Sequence, residues 1–264
     1  MQAHATYGTG ERTVVLLHGF LGRGRNLASL AQAWVTADPS LRLLVPDLLG
    51  HGSAAALAPP PSLAQVADGV LAQIELLQLP APAYLVGHSL GGRVALLARA
   101  RQPAAVAGVV LLDIGPGAVA DLGGLQSLYE SLLAAPAAVS SRDQMRNYFA
   151  AGGFAPALVE WLLMNLAATP GGGPYTWRID RAALAALQRD HRDLDLWPAA
   201  AAAAAAGQLA CVRAANSTFV SLDDAERLRR LGAQVETLAG AGHFIHIDQP
   251  AALLANLRLI LPKS

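Results

Sequence analysis

The chain has 264 residues, 53% of them hydrophobic, with 19 Lys plus Arg balanced by 19 Asp plus Glu and a single cysteine. That length can bury a full core without disulfide or metal staples, and the balanced charge supplies no field to draw in a nucleic acid backbone or an anionic membrane. Residues 1–12 hold no apolar leader core, and the longest apolar runs, such as 104–112, are too short to cross a bilayer. Cys211 lies in an apolar, strand-like run without a neighbouring base, so a soluble cytoplasmic protein with a buried structural thiol is expected.

Taken in chain order, residues 13–17 form the first strand candidate, followed by the turn His18-Gly19-Phe20-Leu21-Gly22 and a second strand at 41–45. Gly22-Arg23-Gly24 with Asp47 at the end of the next strand raises a dinucleotide-binding pattern, but Leu27 stands where the third glycine belongs. After a triple proline, Ser62 and Gln65 read as a capping box. Leu63, Val66, Val70, Ile74 and Leu77 then recur at helical spacing, as in a crossover helix. Residues 83–86 are the third strand candidate and lead into Gly87-His88-Ser89-Leu90-Gly91, a strand, a G-x-S-x-G turn and a helix in succession. The run 106–112 is a fourth strand and ends on Asp113.

From 114 to 197 the alternation stops. Short helical patches broken by Pro136, Gly152-Gly153 and the segment 169–174 replace it, so 114–197 is expected to be an inserted helical lid over a core made of 1–113 and 198–264. The alanine run 199–206 reads as helix-prone low complexity with little surface to anchor anything. Strands at 208–213 and 234–238 and a helix opened by Pro250 complete the chain. Alternating strands and helices predict an α/β fold with a mostly parallel central sheet covered on both faces.

The chemistry is read from the turn outward. A serine at the tip of a sharp strand-to-helix turn is presented to a base, so Ser89 is the expected nucleophile, with Gly87 and Gly91 small for steric reasons. His243, on the Gly-rich loop after the last strand, is the expected general base. His246 is its nearest rival, whereas His51 lies in a turn, His88 in the elbow, and His4 and His191 lack context. The spacing His243-x-x-His246 with Asp248 has no third ligand cluster, so no metal is expected. No carboxylate occurs in 212–218, where the acid would be sought, and Ser217 stands there instead. Asp223 and Asp224 follow Ser221 as the acidic first turn of a helix would. Asp113, at the carboxyl edge of the strand expected beside the elbow strand, is the better acid, because a buried carboxylate needs a partner such as the His243 imidazole. The backbone amides of Phe20 and Leu90 are the expected oxyanion donors, with His18 ordering the first of these loops. Phe154, Trp161, Met164 and Trp177 are candidates for an acyl pocket, and each could equally pack the lid onto the core.

These residues resemble the alpha/beta-hydrolase fold and, more closely, the small bacterial esterases of the YbfF type, over nearly the whole chain. The resemblance rests on His18 to Gly22, the stretch 47–53, Gly87-His88-Ser89-Leu90-Gly91-Gly92, Asp113-Ile114-Gly115-Pro116 and Gly240-Ala241-Gly242-His243, with Trp177-Arg178 and Asn216-Ser217 in support. It implies a triad acid after the sixth strand of that fold, with a serine at the usual acid position. It also implies hydrolysis of short- to medium-chain acyl esters or thioesters, including acyl-CoA type substrates, without metal or organic cofactor. Ala214 and Asp180 depart from the subgroup, in which glycine and asparagine are usual. Two alternatives share these residues: a menaquinone-pathway type lyase, with which Gly91-Gly92-Arg93 is compatible, and a non-catalytic small-molecule receptor. Serine at position 89 excludes dehalogenase and epoxide hydrolase chemistry. Acyl length, ester against thioester, and oligomeric state are not encoded in periodicity.

Overall fold

The computed structural model describes residues 4–118 and 125–261, and side chains throughout them except at 125 and 126. Its main sheet is built from β1 (His4–Tyr7), β2 (Arg12–Leu17), β3 (Leu41–Pro46), β4 (Ala83–His88), β5 (Val106–Leu112), β9 (Leu209–Ala214) and β10 (Gln234–Leu238), in the order β1-β3-β2-β4-β5-β9-β10. All neighbours pair in parallel except β1, which runs antiparallel to β3. All six expected strands are present. The edge strand β1 is additional, because a four-residue strand with exposed side chains leaves no apolar period to read.

Strand alternation divides the core between the two faces of the sheet. Val15 and Leu17 of β2, with Val109 and Leu111 of β5, pack on the side of helices α2 (Leu63–Leu76) and α3 (Leu90–Arg101). Val14, Leu16, Val110 and Leu112 face the other way, against α1 (Ala28–Ala37) and α11 (Pro250–Ile260). β2 and β5 are therefore buried on both faces, which is why these segments read as continuous apolar runs. The cap of α2 is half of the expected box: Ser62 Oγ accepts from the Gln65 amide at 3.3 Å, but the Gln65 side chain donates to the carbonyls of Ala58 and Pro60.

Between β5 and the helix α8 (Trp197–Ala205) lie α4 (Leu125–Ala134), α5 (Arg142–Ala151), α6 (Pro156–Leu163) and α7 (Arg181–Asp193). Three short strands, β6 (Ala138–Val139), β7 (Leu166–Ala168) and β8 (Tyr175–Trp177), form an antiparallel sheet among them in the order β6-β8-β7. The expected short helices are there, and the small sheet is an addition too brief for a period-2 signal. Asp180, the departure from the subgroup pattern, caps α7 by accepting from the amides of Ala182 and Ala183 at 2.9 and 3.0 Å. The alanine run is not idle sequence: in α8, Ala200, Ala203 and Ala204 are buried in the core beside α3, where small side chains let two helix backbones approach closely.

The register places the ends of the central strands at one edge. Leu17 pairs with Gly87, His88 with Leu112, Leu112 with Val212, and Ala214 with Leu238. Residues that immediately follow these strands, among them His18, Ser89 and Asp113, therefore emerge side by side at the carboxyl edge of the sheet, where open α/β sheets bind ligands.

Candidate active site

Ser89 joins β4 to α3 with φ 53° and ψ −120°, a conformation that costs a non-glycine residue about 1–3 kcal/mol. The turn closes because its flanks are glycines. A Cβ on Gly87 would stand 2.2 Å from the Gly91 carbonyl carbon, and one on Gly91 would stand 2.5 Å from the Leu17 carbonyl oxygen. Asp113, directly after β5, also has positive φ at this edge, at 50°, as does Leu21 in the loop after β2, at 59°.

The Asp113 carboxylate is fully buried, and its two oxygens are divided between distinct tasks. Oδ1 accepts from the Ala214 amide at 2.8 Å. Oδ2 accepts from Ser217 Oγ at 2.5 Å and lies 2.8 Å from Nδ1 of His243, 130 residues away in sequence. A carboxylate accepts only, so the His243 Nδ1 carries a proton, and in the neutral ring that tautomer leaves the lone pair on Nε2. Asp223 and Asp224 are elsewhere: Ser221 caps α9 (Leu222–Arg230), accepting from the Asp224 amide at 3.0 Å, as their position behind that serine predicts.

Four contacts hold the His243 ring and its loop. Phe219 stacks on the ring with centroids 3.6 Å apart and planes inclined by 14°. The loop is held by Gly242 donating at 2.8 Å to Oδ2 of Asp248, the last residue of the short helix α10 (Ile245–Asp248), and by Asn216 donating to the Ala241 carbonyl at 2.9 Å. His88, from the elbow, donates through Nε2 to the His243 carbonyl at 2.7 Å. Burial, reinforced by the neighbouring His243 and His246, pushes His88 well below its ordinary range, so it serves as a neutral strut. His246 has no carboxylate partner of this kind, and burial holds it down at about 4, which leaves His243 as the oriented imidazole.

His18 orders its loop through both ring nitrogens. Nδ1 donates to the Gly19 carbonyl at 2.8 Å, and Nε2 accepts from the Leu48 amide at 2.9 Å. Burial lowers it to about 4, consistent with a neutral structural role. Phe20, in the same loop, lines the cavity, and Leu90 opens α3 directly after Ser89. Asp47 brackets the adjoining turns by accepting from the Gly24 and Ser53 amides, each at 2.8 Å, which accounts for the pattern that resembled a nucleotide fingerprint.

Ser89 and His243 line one cavity of about 280 Å³. Phe20 and Trp161 line it too, as do Leu128, Tyr129 and Leu158 from the segment between β5 and α8; among the described residues, no Asp, Glu, Lys or Arg lines it. Of the four expected pocket residues, only Trp161 is there. Phe154 packs against Phe149 within the helical segment, Met164 accepts a hydrogen bond from Asn26 through sulfur at 3.6 Å, and Trp177 donates to the Pro136 carbonyl at 2.9 Å beneath Arg181. Aromatic residues in short elements without a clear period give no sign of which side they face. Phe219 and the cavity-lining Gln188 and His191 are outside the sequence-based expectation. The last two could have been found as polar residues on the apolar face that Leu184 and Leu187 mark on α7. Arg93 does not reach this wall: its buried guanidinium is spent on the carbonyls of Gly115, Pro116, Gly117, His191 and Leu194. Among the described residues, no group of three or more His, Cys, Asp or Glu side chains could hold a metal ion, and no helix is long and apolar enough to cross a membrane.

Comparison with known proteins agrees with this architecture. A family model described as alpha/beta hydrolase family matches residues 14–257. Lipase LipV of Mycobacterium tuberculosis is 32% identical over 259 residues, covering 95% of this chain and 93% of its own. The sn-1-specific diacylglycerol lipase ABHD11 of Mus musculus is 29% identical over 250 residues, covering 90% of this chain and 76% of its own. Among solved structures, a marine microorganism esterase superposes with a TM-score of 0.81 at 19% identity, covering 98% of this chain and 99% of that one, a likeness of fold.

Proposed function

The chain belongs to the alpha/beta hydrolase family and is a carboxylic ester hydrolase by that kinship, and we propose that it cleaves short- to medium-chain esters or acyl thioesters through an acyl-enzyme on Ser89. The observation that carries this reading is the 2.8 Å contact of the buried Asp113 carboxylate with His243 Nδ1, beside a cavity that His243 shares with Ser89. Ser89 Oγ attacks the acyl carbonyl while His243 Nε2 takes its proton, and Asp113 holds the imidazole in the tautomer that makes this possible. The amides of Phe20 and Leu90 receive the oxyanion. The imidazolium then protonates the leaving alcohol or thiol, water attacks the acyl-serine, and the second proton transfer returns the free serine. No step calls for a cofactor.

Residues 114–197 act in this reading as the cap over the serine, since they supply Leu128, Tyr129, Leu158 and Trp161 to the cavity wall; 119–124 lie outside the described residues. The modest, largely apolar cavity favours short to medium acyl chains. The LipV and ABHD11 names, both those of lipases, favour oxygen esters as the first class to test. The cytoplasmic placement is part of the same proposal and rests on Cys211, which is sealed in β9 with its thiol pushed up to about 12 by burial. The lyase alternative is less well supported, because among the described residues no Lys or Arg lines the cavity to hold an anionic substrate, and Arg93 is engaged with carbonyls.

The decisive experiment measures p-nitrophenyl acyl esters and CoA thioesters of increasing chain length with the wild-type chain and with Ser89→Ala, alongside fluorophosphonate labelling. Hydrolysis that falls by about a millionfold in kcat with the serine removed, and labelling that disappears with it, are the expected results. A chain that neither hydrolyses esters nor labels would be the non-catalytic receptor instead.

A further inference from the structure

The loop after β2 is a tight turn held from two sides. Gly22 donates to the Gly19 carbonyl at 3.0 Å and closes four residues with Phe20 and Leu21 at their centre. His18 Nδ1 donates to the same carbonyl at 2.8 Å. In a trans peptide the N–H points opposite to its C=O, so these two contacts set the direction of the Phe20 amide, the donor assigned to the oxyanion. The turn is not relaxed. Leu21, its third residue, has φ 59°, a position and conformation in which glycine or asparagine is usual and a leucine is strained. The Leu21 side chain is fully buried, which accounts for leucine there but does not remove the strain.

The second hold comes from the segment between β5 and α8. Asn165, two residues beyond α6 and 144 residues from Leu21 in sequence, donates through Nδ2 to the Leu21 carbonyl at 3.0 Å. The Leu21–Gly22 peptide is thereby gripped at both ends, its oxygen by Asn165 and its N–H by the Gly19 carbonyl. Asn165 is itself fixed: its amide donates to the Leu162 carbonyl at 3.0 Å, and its carbonyl accepts from the Arg178 amide at 2.8 Å. The side chain is buried, and its Oδ1 has no hydrogen-bond partner. An unmatched buried oxygen is costly, and leucine would fill nearly the same space without one. Packing therefore does not account for asparagine. What leucine lacks is the N–H that reaches Leu21.

We propose that Asn165 is a positioning residue for the reaction, holding the strained turn so that the Phe20 amide meets the oxyanion as it develops. Without this hold the Leu21–Gly22 peptide is free to rotate and Leu21 to leave the left-handed region, which carries the Phe20 N–H out of line. This rests on the reading of Ser89, His243 and Asp113 as an ester-cleaving triad assisted by the amides of Phe20 and Leu90.

Asn165→Leu tests the role. On a p-nitrophenyl ester its kcat should fall by about tenfold to a hundredfold while KM stays within a few-fold, because the misplaced donor matters only where charge develops. 1-Butaneboronic acid, whose boron takes up Ser89 Oγ to give a tetrahedral anion, should lose affinity by a similar factor. 1-Hexanol, which only fills the cavity, should inhibit as before. A residue that merely anchors its own segment would instead raise KM or lower the urea midpoint, with kcat and boronate affinity unchanged, and that result overturns the proposal. If Asn165→Leu does not fold by circular dichroism, Asn165→Asp carries the test. Its carboxyl can donate to Leu21 only while protonated, a form that burial favours, so its kcat relative to wild type should fall as pH rises from about 6 to about 9. A ratio independent of pH overturns the proposal. If the wild-type chain neither hydrolyses esters nor reacts with a fluorophosphonate, the catalytic reading itself falls and takes Asn165 with it; an active wild type with an unimpaired Asn165→Leu sinks this inference alone.

Discussion

Asp113 and His243 meet at 2.8 Å across 130 residues of sequence, one from the end of β5 and the other from the loop after β10. Because the carboxylate is fully buried and the imidazole proton is among its few donors, the contact sets both the ring's orientation and its tautomer. Asp113→Asn keeps the shape but can present an N–H to the ring, favouring the wrong tautomer. It should lower kcat by about ten-thousandfold, while Asp223→Asn and Asp224→Asn stay within a few-fold of wild type. Steady-state kinetics on a p-nitrophenyl ester decide the matter; an active Asp113→Asn chain would move the acid elsewhere.

Ser217 donates to the same Asp113 oxygen at 2.5 Å, and its Oγ accepts from the Phe219 amide at 3.2 Å. It therefore ties the carboxylate to the turn that carries Phe219, whose ring stacks on His243. A hydrogen bond to a charged group is worth about 1.5–3 kcal/mol, so Ser217→Ala should cost activity in the range of about tenfold to a hundredfold, well short of the loss in Asp113→Asn. Ser217→Thr keeps the hydroxyl and should recover most of the loss. Equal kcat values in wild type and Ser217→Ala would reduce this serine to a bystander.

Much of this arrangement is legible in the sequence alone. The turn that carries Ser89 announces itself because glycine is enforced on both sides of it by backbone contacts, and the central strands β2, β3, β4 and β5 read clearly because they are buried on both faces. Asp113 stands out by its position at the end of an apolar run, where a carboxylate without a partner would be costly. Illegible were the features that depend on which side a short element turns inward. Phe154, Met164 and Trp177 look much like Trp161 in sequence, yet only Trp161 faces the cavity. The stacking of Phe219 on His243 is invisible for a related reason, since it joins two loops that no local pattern connects. The alanine helix α8 misleads because small side chains matter by what they allow to approach, not by the area they bury.

The elbow glycines make a prediction about folding. A methyl on Gly87 would meet backbone atoms of Gly91 and Gly92 at 2.2–2.3 Å, and backbone cannot swing aside as a side chain can. Gly87→Ala should destabilise by at least about 3 kcal/mol or prevent folding. Gly171→Ala is the contrasting substitution: Gly171 has positive φ, at 83°, which Gly87 does not, but nothing lies within 4 Å of its Cβ position, so it should cost only about 1–2 kcal/mol. Urea unfolding of the two variants checks the difference, and similar midpoints would mean that the turn relaxes more freely than its contacts allow.

Several buried histidines predict how stability depends on pH. Burial lowers His18 and His246 from an ordinary value of 6.5 to about 4, and His51 and His191 to about 3. As pH falls below 6.5 the unfolded chain takes up protons that the folded chain refuses, so the unfolded state binds more protons and stability declines with acidification. The stabilisation is complete above about 6.5 and is lost progressively down to about 4 for the first pair and 3 for the second. Each histidine contributes at most about 1.4 kcal/mol per pH unit within its window. His18 and His51, with ring centroids 5.2 Å apart, resist protonation jointly, so their losses do not simply add. The urea midpoint should therefore be nearly level from pH 8 to 7 and drop steeply between pH 6 and 4.5, with His191→Phe making the drop shallower. A midpoint unchanged at pH 5 would mean that these imidazoles reach water in the folded chain, contrary to their burial.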